Sequence, residues 1–123
     1  MKLNIDTTRL PCYTLGYTLR FIFANKKLDL LYTARTGAAK YPPEVVDAFF
    51  DKMAVIRAAR DENALRALKS LHFEKLQGER GLRGERSIRL NRQFRLILRL
   101  ETDEQGKLVC IISIEDYHYR RAA

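Results

Sequence analysis

The spacing of apolar residues changes character midway along this chain of 123 residues. Residues 1–18 show weak periodicity, interrupted by Pro11 and Gly16. Tyr17 to Ala24 is an apolar, aromatic run that predicts a strand. Asn25 then stands where a cap is needed for a helix carrying Leu28, Leu31 and Tyr32, with Gly37 as its stop. Pro42 and Pro43 suit the first turn of a second helix. Its stripe of Val45, Val46, Phe49, Phe50, Met53 and Ile56 is the longest helical signal in the chain and reads as a core-facing surface. Asp61 predicts the cap of a third, shorter helix running through Leu65, Leu68 and Leu71.

From Gly78 to Gly84 the chain is charged and rich in glycine, which predicts a connector. Period-two alternation follows. Ile88 and Leu90 alternate with Ser87, Arg89 and Asn91; beyond a turn near Arg92 and Gln93, Phe94, Leu96, Leu98 and Leu100 alternate with Arg95, Ile97 and Arg99. A turn at 91–93 pairs Leu90 with Phe94 and sets Arg89 opposite Arg95, both on the face away from Ile88 and Leu96. Glu101 to Gly106 is polar and predicts a loop. Leu108 to Ile114 is nearly continuous and branched, as expected of an interior strand covered on both faces. Helices first and antiparallel strands after make the class α+β.

Length and composition suit one compact domain, with 46% hydrophobic residues. No apolar run reaches the roughly 18–20 residues of a membrane span, and the N-terminus lacks the pattern of a secretory signal, so a cytoplasmic location without membrane association is expected. Cys12 and Cys110 are far apart, as are His72 and His118, and none has a second ligand at metal-binding spacing. Neither metal nor cofactor is expected. Gly78, Gly81 and Gly84 do not open a long helix after a strand, so they do not form a phosphate loop.

The net charge of +8 is not spread evenly. Arginine recurs at 80, 83, 86, 89, 92 and 95, with Arg99 following, and 72–99 holds eight Lys or Arg against three Glu. Like charges opposed across a hairpin, as Arg89 and Arg95 would be, are destabilising unless an anion lies between them. Phosphate fits, because guanidinium groups engage it bidentately. The competing reading is a solvated basic face, or arginines paired with Glu74, Glu79 and Glu85. After the last strand, Asp116 and His118 are two apart and would share one side of a continuing strand. There the carboxylate would orient the imidazole for proton transfer, and Tyr117 and Tyr119 could stack on bases. Taken alone, a terminal histidine reads as an exposed, idle residue.

These pieces in order, Leu76-Gln77-Gly78, Ser87-Ile88-Arg89-Leu90-Asn91, Phe94-Arg95-Leu96 and Asp116-Tyr117-His118, resemble the HigB branch of the RelE/ParE toxin superfamily. The likeness spans about Phe21 to His118, so residues 1–19 read as an extension, an extra strand or flexible arm, and 20–123 as the toxin domain. It implies a RelE-like fold, with N-terminal helices packed on a small C-terminal antiparallel sheet. It implies a ribosome-dependent endoribonuclease that cuts mRNA in the A site. A HigA-type helix-turn-helix antitoxin would hold it inactive, and operator DNA would be met only through that antitoxin. Arg95 matches the superfamily's phosphate arginine, and Asp116, Tyr117 and His118 match the HigB terminal triplet. With these four as catalytic candidates, Arg89, Arg83, Arg86, Arg99 and Lys75 become candidates for contact with RNA phosphates. The chain departs from the pattern at Glu74 and Gln77, where some members carry His and Lys. The expected products are a 2′,3′-cyclic phosphate and a 5′-OH. Two other classes remain open: a ParE-like inhibitor of DNA gyrase on the same fold, and a non-catalytic basic module that binds RNA or an acidic protein.

Overall fold

The structure, a computed structural model, describes residues 19–117. The expected extension therefore lies, Leu19 aside, outside the described residues, and so does His118. Asn25 starts α1 (Lys26–Ala34): its side-chain oxygen accepts the Leu28 N–H at 3.0 Å. The stop is not Gly37, as the pattern suggested. Arg35 itself takes the left-handed conformation at φ 57°; its N–H donates to the Leu31 carbonyl at 3.0 Å, and the Thr36 N–H donates to the Leu30 carbonyl at 3.2 Å. Its guanidinium lies 4.7 Å from the centre of the Phe50 ring, a cation–π contact that offsets part of the cost of that backbone. Gly37 instead precedes a single 3-10 turn, Ala38–Lys40.

Pro43 opens α2 (Pro43–Ala58), which buries Val45, Val46, Phe49, Met53 and Ile56 as the stripe predicts, with Phe50 half-buried. Asp61 caps α3 through the Ala64 N–H at 3.0 Å. This helix (Glu62–Ala67) is shorter than its leucine spacing implied. A 3-10 turn at Lys69–Leu71 redirects the chain so that Leu71 enters the core while Leu68 faces solvent.

Among the described residues five strands form one sheet: β1 (Arg20–Phe23), β2 (Glu74–Lys75), β3 (Glu85–Arg89), β4 (Phe94–Asp103) and β5 (Gly106–Asp116), in the order β1-β5-β4-β3-β2. The class is α+β, and β2 to β5 pair antiparallel. The expectation of an antiparallel sheet needs one correction, because β1 lies parallel to β5. The helices and the three other strands lie between these two in sequence. Their register sets Phe21 beside Val109 and Phe23 beside Ile111, which turns both rings into the core. The β3–β4 hairpin closes as expected. Asn91 Oδ1 accepts N–H groups from Gln93 (2.8 Å) and Phe94 (2.7 Å), Leu90 N–H donates to the Phe94 carbonyl, and Arg89 stands opposite Arg95.

One face of the sheet, with Ile88, Leu96, Leu98, Val109 and Ile111, packs under α1, α2 and α3. Alternation puts Glu85, Ser87, Arg89, Arg95, Ile97, Ser113 and Glu115 on the other. That second face is not simply a solvated one: Ile97 is fully buried there, beside a register shift between Ile97 and Leu98. The segment read as a connector holds a short helix, α4 (Gly78–Leu82), which a five-residue element without an apolar stripe does not announce. Ion pairs from its Arg80 to Glu85 and Glu115 hold it to this second face.

Candidate functional site

Between α4 and the second sheet face lies an open cleft of about 320 Å³. One wall is the segment from β2 to the start of α4, with Glu74, Lys75, Leu76 and Gln77. Ser87 and Arg95 come from the sheet, Arg80 from α4, and Tyr117 closes the far end. Each wall has a local cause. The two residues of β2 pair with Ser87 and Arg86, which brings Glu74 alongside the sheet. Tyr117 follows β5 directly, and its N–H donates to the Gln93 carbonyl at 2.6 Å, fixing the chain against the hairpin.

Arg95 lies at the centre of this arrangement. Its side chain is only 16% exposed. The guanidinium lies 5.5 Å from the centre of the Tyr117 ring, and one nitrogen is 3.3 Å from Glu74 Oε1. Glu74 is 64% exposed, so this ion pair is screened by water and weak. Arg80 is engaged far more strongly. Its Nε meets Glu85 at 2.7 Å, and its two terminal nitrogens meet both oxygens of Glu115 at 3.1 and 2.7 Å. The hydrogen bond to Glu115 and that to Glu85 hold the Arg80 pKa above its ordinary value, against the opposing effect of burial. Ser113 donates a further bond to Glu115 at 2.9 Å.

The structure thus brings together Arg95, Tyr117 and Lys75 from the predicted set and adds Arg80, Glu74, Gln77 and Ser87. Among the described residues, the other predicted ones do not line the cleft. Arg89 is exposed, 3.4 Å from His72 Nε2. Arg83 pairs with Glu85 and Glu79, and Arg99 with Glu101, whose hydrogen bond raises the Arg99 pKa. Arg86 donates to the Glu85 carbonyl. Asp116 accepts a bond from Gln93 Nε2 at 3.0 Å, and the expected role of His118 falls outside the described residues. Arg80 was visible in sequence only as the first member of an arginine series. Nothing in its neighbourhood announces a partner 35 residues away. Among the described residues, no three His, Cys, Asp or Glu side chains are arranged to hold a metal, and no helix is long and apolar enough to cross a membrane.

The family model described as "RelE-like toxin of type II toxin-antitoxin system HigB" matches residues 21–115, most of the chain. The chain belongs to the HigB-like toxin family. This HigB-like toxin is also similar to a solved structure, the YoeB/ParE toxin from Agrobacterium tumefaciens, at 19% identity and a TM-score of 0.49. That likeness covers 80% of this chain and 98% of the other. A comparison with curated proteins finds no match. As a type II toxin of the RelE-like family, the HigB-like chain implies an antitoxin partner.

Proposed function

We propose that this HigB-like toxin is a ribosome-dependent mRNA endoribonuclease, with the cleft around Arg95 as the seat of the scissile phosphate. The observation that carries this reading is a half-buried guanidinium whose ion pair is to one exposed, displaceable carboxylate. RNA brings its own nucleophile, so the protein needs to stabilise charge on the phosphate and move two protons. Arg95 and Lys75 meet the developing negative charge. Displaced from Arg95 by phosphate, Glu74 stands where it can take the proton of the 2′-OH. The 2′-oxygen bonds to phosphorus, the bond to the 5′-oxygen breaks, and His118 gives that oxygen a proton. The products are a 2′,3′-cyclic phosphate and a 5′-OH. Tyr117 holds the Arg95 plane through their cation–π contact, and Gln93 holds Asp116 just before it. Arg89, opposite Arg95 in register and bonded to His72, extends phosphate contact beyond the cleft.

In this reading the substrate is mRNA in the ribosomal A site, in the cytoplasm. The antitoxin is of the HigA helix-turn-helix type, and operator DNA is met through it. Primer extension on a defined mRNA, with and without programmed ribosomes, tests the reading. We expect cleavage only with ribosomes, and a fall of about 10²–10³-fold in Arg95→Ala, the usual loss when a principal transition-state charge donor is removed. Absence of cleavage by the unaltered protein under both conditions would overturn it. Inhibition of supercoiling by purified gyrase would then favour the gyrase-directed class.

A further inference from the structure

We propose that Arg80 is a positioning residue that draws Glu115 away from Arg95 and so keeps Arg95 available to phosphate. The proposal rests on the reading of the cleft as a phosphate site. In the β4–β5 register Glu115 stands directly opposite Arg95. Opposite charges facing each other across adjacent strands ordinarily pair. Here they do not form the dominant contact. Both oxygens of Glu115 are taken by the two terminal nitrogens of Arg80, and Ser113 Oγ adds a third bond. A bidentate guanidinium–carboxylate pair of this kind is among the strongest polar contacts a protein makes. Arg95 pairs instead with Glu74, an exposed partner that an incoming phosphate can displace.

Arg80 is poorly placed to serve as a phosphate ligand itself, although it lines the cleft. Its Nε is held at 2.7 Å by Glu85, which is 5% exposed, so Arg80 faces two carboxylates at once. Turning to a ligand would leave a buried carboxylate with a weaker contact to Arg83 at 3.4 Å. The same two bonds make Arg80 effective as a clamp. Without it, the half-buried Glu115 would seek another cation, and the cross-strand neighbour is Arg95.

The test uses the full chain and inorganic phosphate as probe. The Arg95 Nε–Hε resonance, assigned with an Arg95→Lys spectrum, is followed during phosphate titration of the unaltered protein, Arg80→Ala, Glu115→Gln and the double variant. Thermal melts confirm folding. We expect Arg80→Ala to bind phosphate about tenfold more weakly, and Arg80→Ala/Glu115→Gln to return to within about twofold of the unaltered protein. Should loss of the Glu85 pair unfold Arg80→Ala, Arg80→Lys is used instead. It keeps a charge for Glu85 but lacks the bidentate fork, and the same order with a smaller loss is expected. A double variant as weak as the single one, or an Arg80 variant that binds normally, overturns the clamp and leaves the phosphate site standing. An Arg95 resonance that does not respond to phosphate in the unaltered protein removes the phosphate reading, and the clamp with it.

Discussion

Gly81→Ala sets two opposing effects against each other, and the structure decides between them. In an exposed helix the change would stabilise by about 1 kcal/mol, because alanine is the better helix former. At this position, however, a Cβ would fall 1.9 Å from the Leu76 carbonyl oxygen and 3.0 Å from its carbon. A carbon–oxygen contact needs about 3.3 Å, so α4 and the link that joins it to β2 would have to part by about 1.4 Å. The obstacle is backbone, so no rotamer relieves it. Arg80 is the neighbouring residue on α4, and its 2.7 Å bonds to Glu85 and Glu115 would stretch past useful length. Overpacking costs about 1–3 kcal/mol, and weakening a charged hydrogen bond about 1.5 kcal/mol or more. The clash wins by about 2 kcal/mol, a drop of about 8 °C in melting temperature for a domain near this size. Differential scanning calorimetry measures this directly. Because α4 forms a wall of the cleft, the phosphate binding proposed at Arg95 is expected to weaken in the same variant. A melting temperature equal to or above that of the unaltered protein would refute the close approach of α4 to Leu76.

Two further perturbations test local features. Asn91→Ala removes the acceptor of two backbone N–H groups at the hairpin tip and is expected to cost about 1–2 kcal/mol in urea unfolding, whereas a loss below about 0.5 kcal/mol would count against the Asx turn. Burial raises the Cys110 thiol above its ordinary pKa, with a smaller push from Glu101. A thiol raised on folding contributes stability that is full below its unfolded value and is lost as pH rises through the folded one. In a Cys12→Ser background, alkylation of Cys110 at pH 8 is therefore expected to be at least about tenfold slower folded than in urea, and the melting temperature to fall on the alkaline side. Equal rates in the two states would contradict the burial.

The helical layer was legible because its signals are local. Asn25 and Asp61 each cap through a backbone N–H three residues ahead, and the stripe from Val45 to Ile56 buries the face it marks. The Arg89–Arg95 register was legible for the same reason, since a three-residue turn fixes it. The misses share the opposite cause. The parallel pairing of β1 with β5 joins segments more than 80 residues apart, and nothing in Phe21-Ile22-Phe23 specifies the direction of its neighbour. The short α4 has little helical signal of its own and is held by Arg80 through ion pairs, one of them to Glu115 at the far end of the chain. Leu68 sat on a convincing stripe, yet the need to bring Leu71 into the core ended the helix before it. In the cleft, Arg95 and Tyr117 were singled out by the hairpin register and the aromatic pair after the last strand as well as by family likeness, whereas Arg80 and Ser87 emerge only once the sheet is assembled.

The arginine series looked like one basic surface in sequence, but the fold gives its members different surroundings. Arg80, Arg83 and Arg99 are close to carboxylates, Arg86 donates to a backbone carbonyl, and Arg89 and Arg95 are left with a histidine and an exposed glutamate. For the proposed ribonuclease, this separates two models of how RNA is held. If the whole face acts as a diffuse polycation, every arginine releases a similar share of counterions when RNA binds. If phosphate is taken only where a cation is under-neutralised, Arg89 and Arg95 carry the effect and Arg83 and Arg99 do not. For single-stranded RNA each phosphate contact contributes about −0.7 to the slope of log K against log salt. Arg89→Gln and Arg95→Gln are therefore each expected to flatten that slope by about 0.7, while Arg83→Gln and Arg99→Gln leave it unchanged within about 0.2. The measurement is fluorescence anisotropy of a 2′-O-methyl oligonucleotide, which binds without being cut, over a range of salt concentrations. Equal flattening by all four substitutions would establish the diffuse model. It would also mean that the carboxylates around Arg83 and Arg99 yield to RNA as readily as Glu74 does.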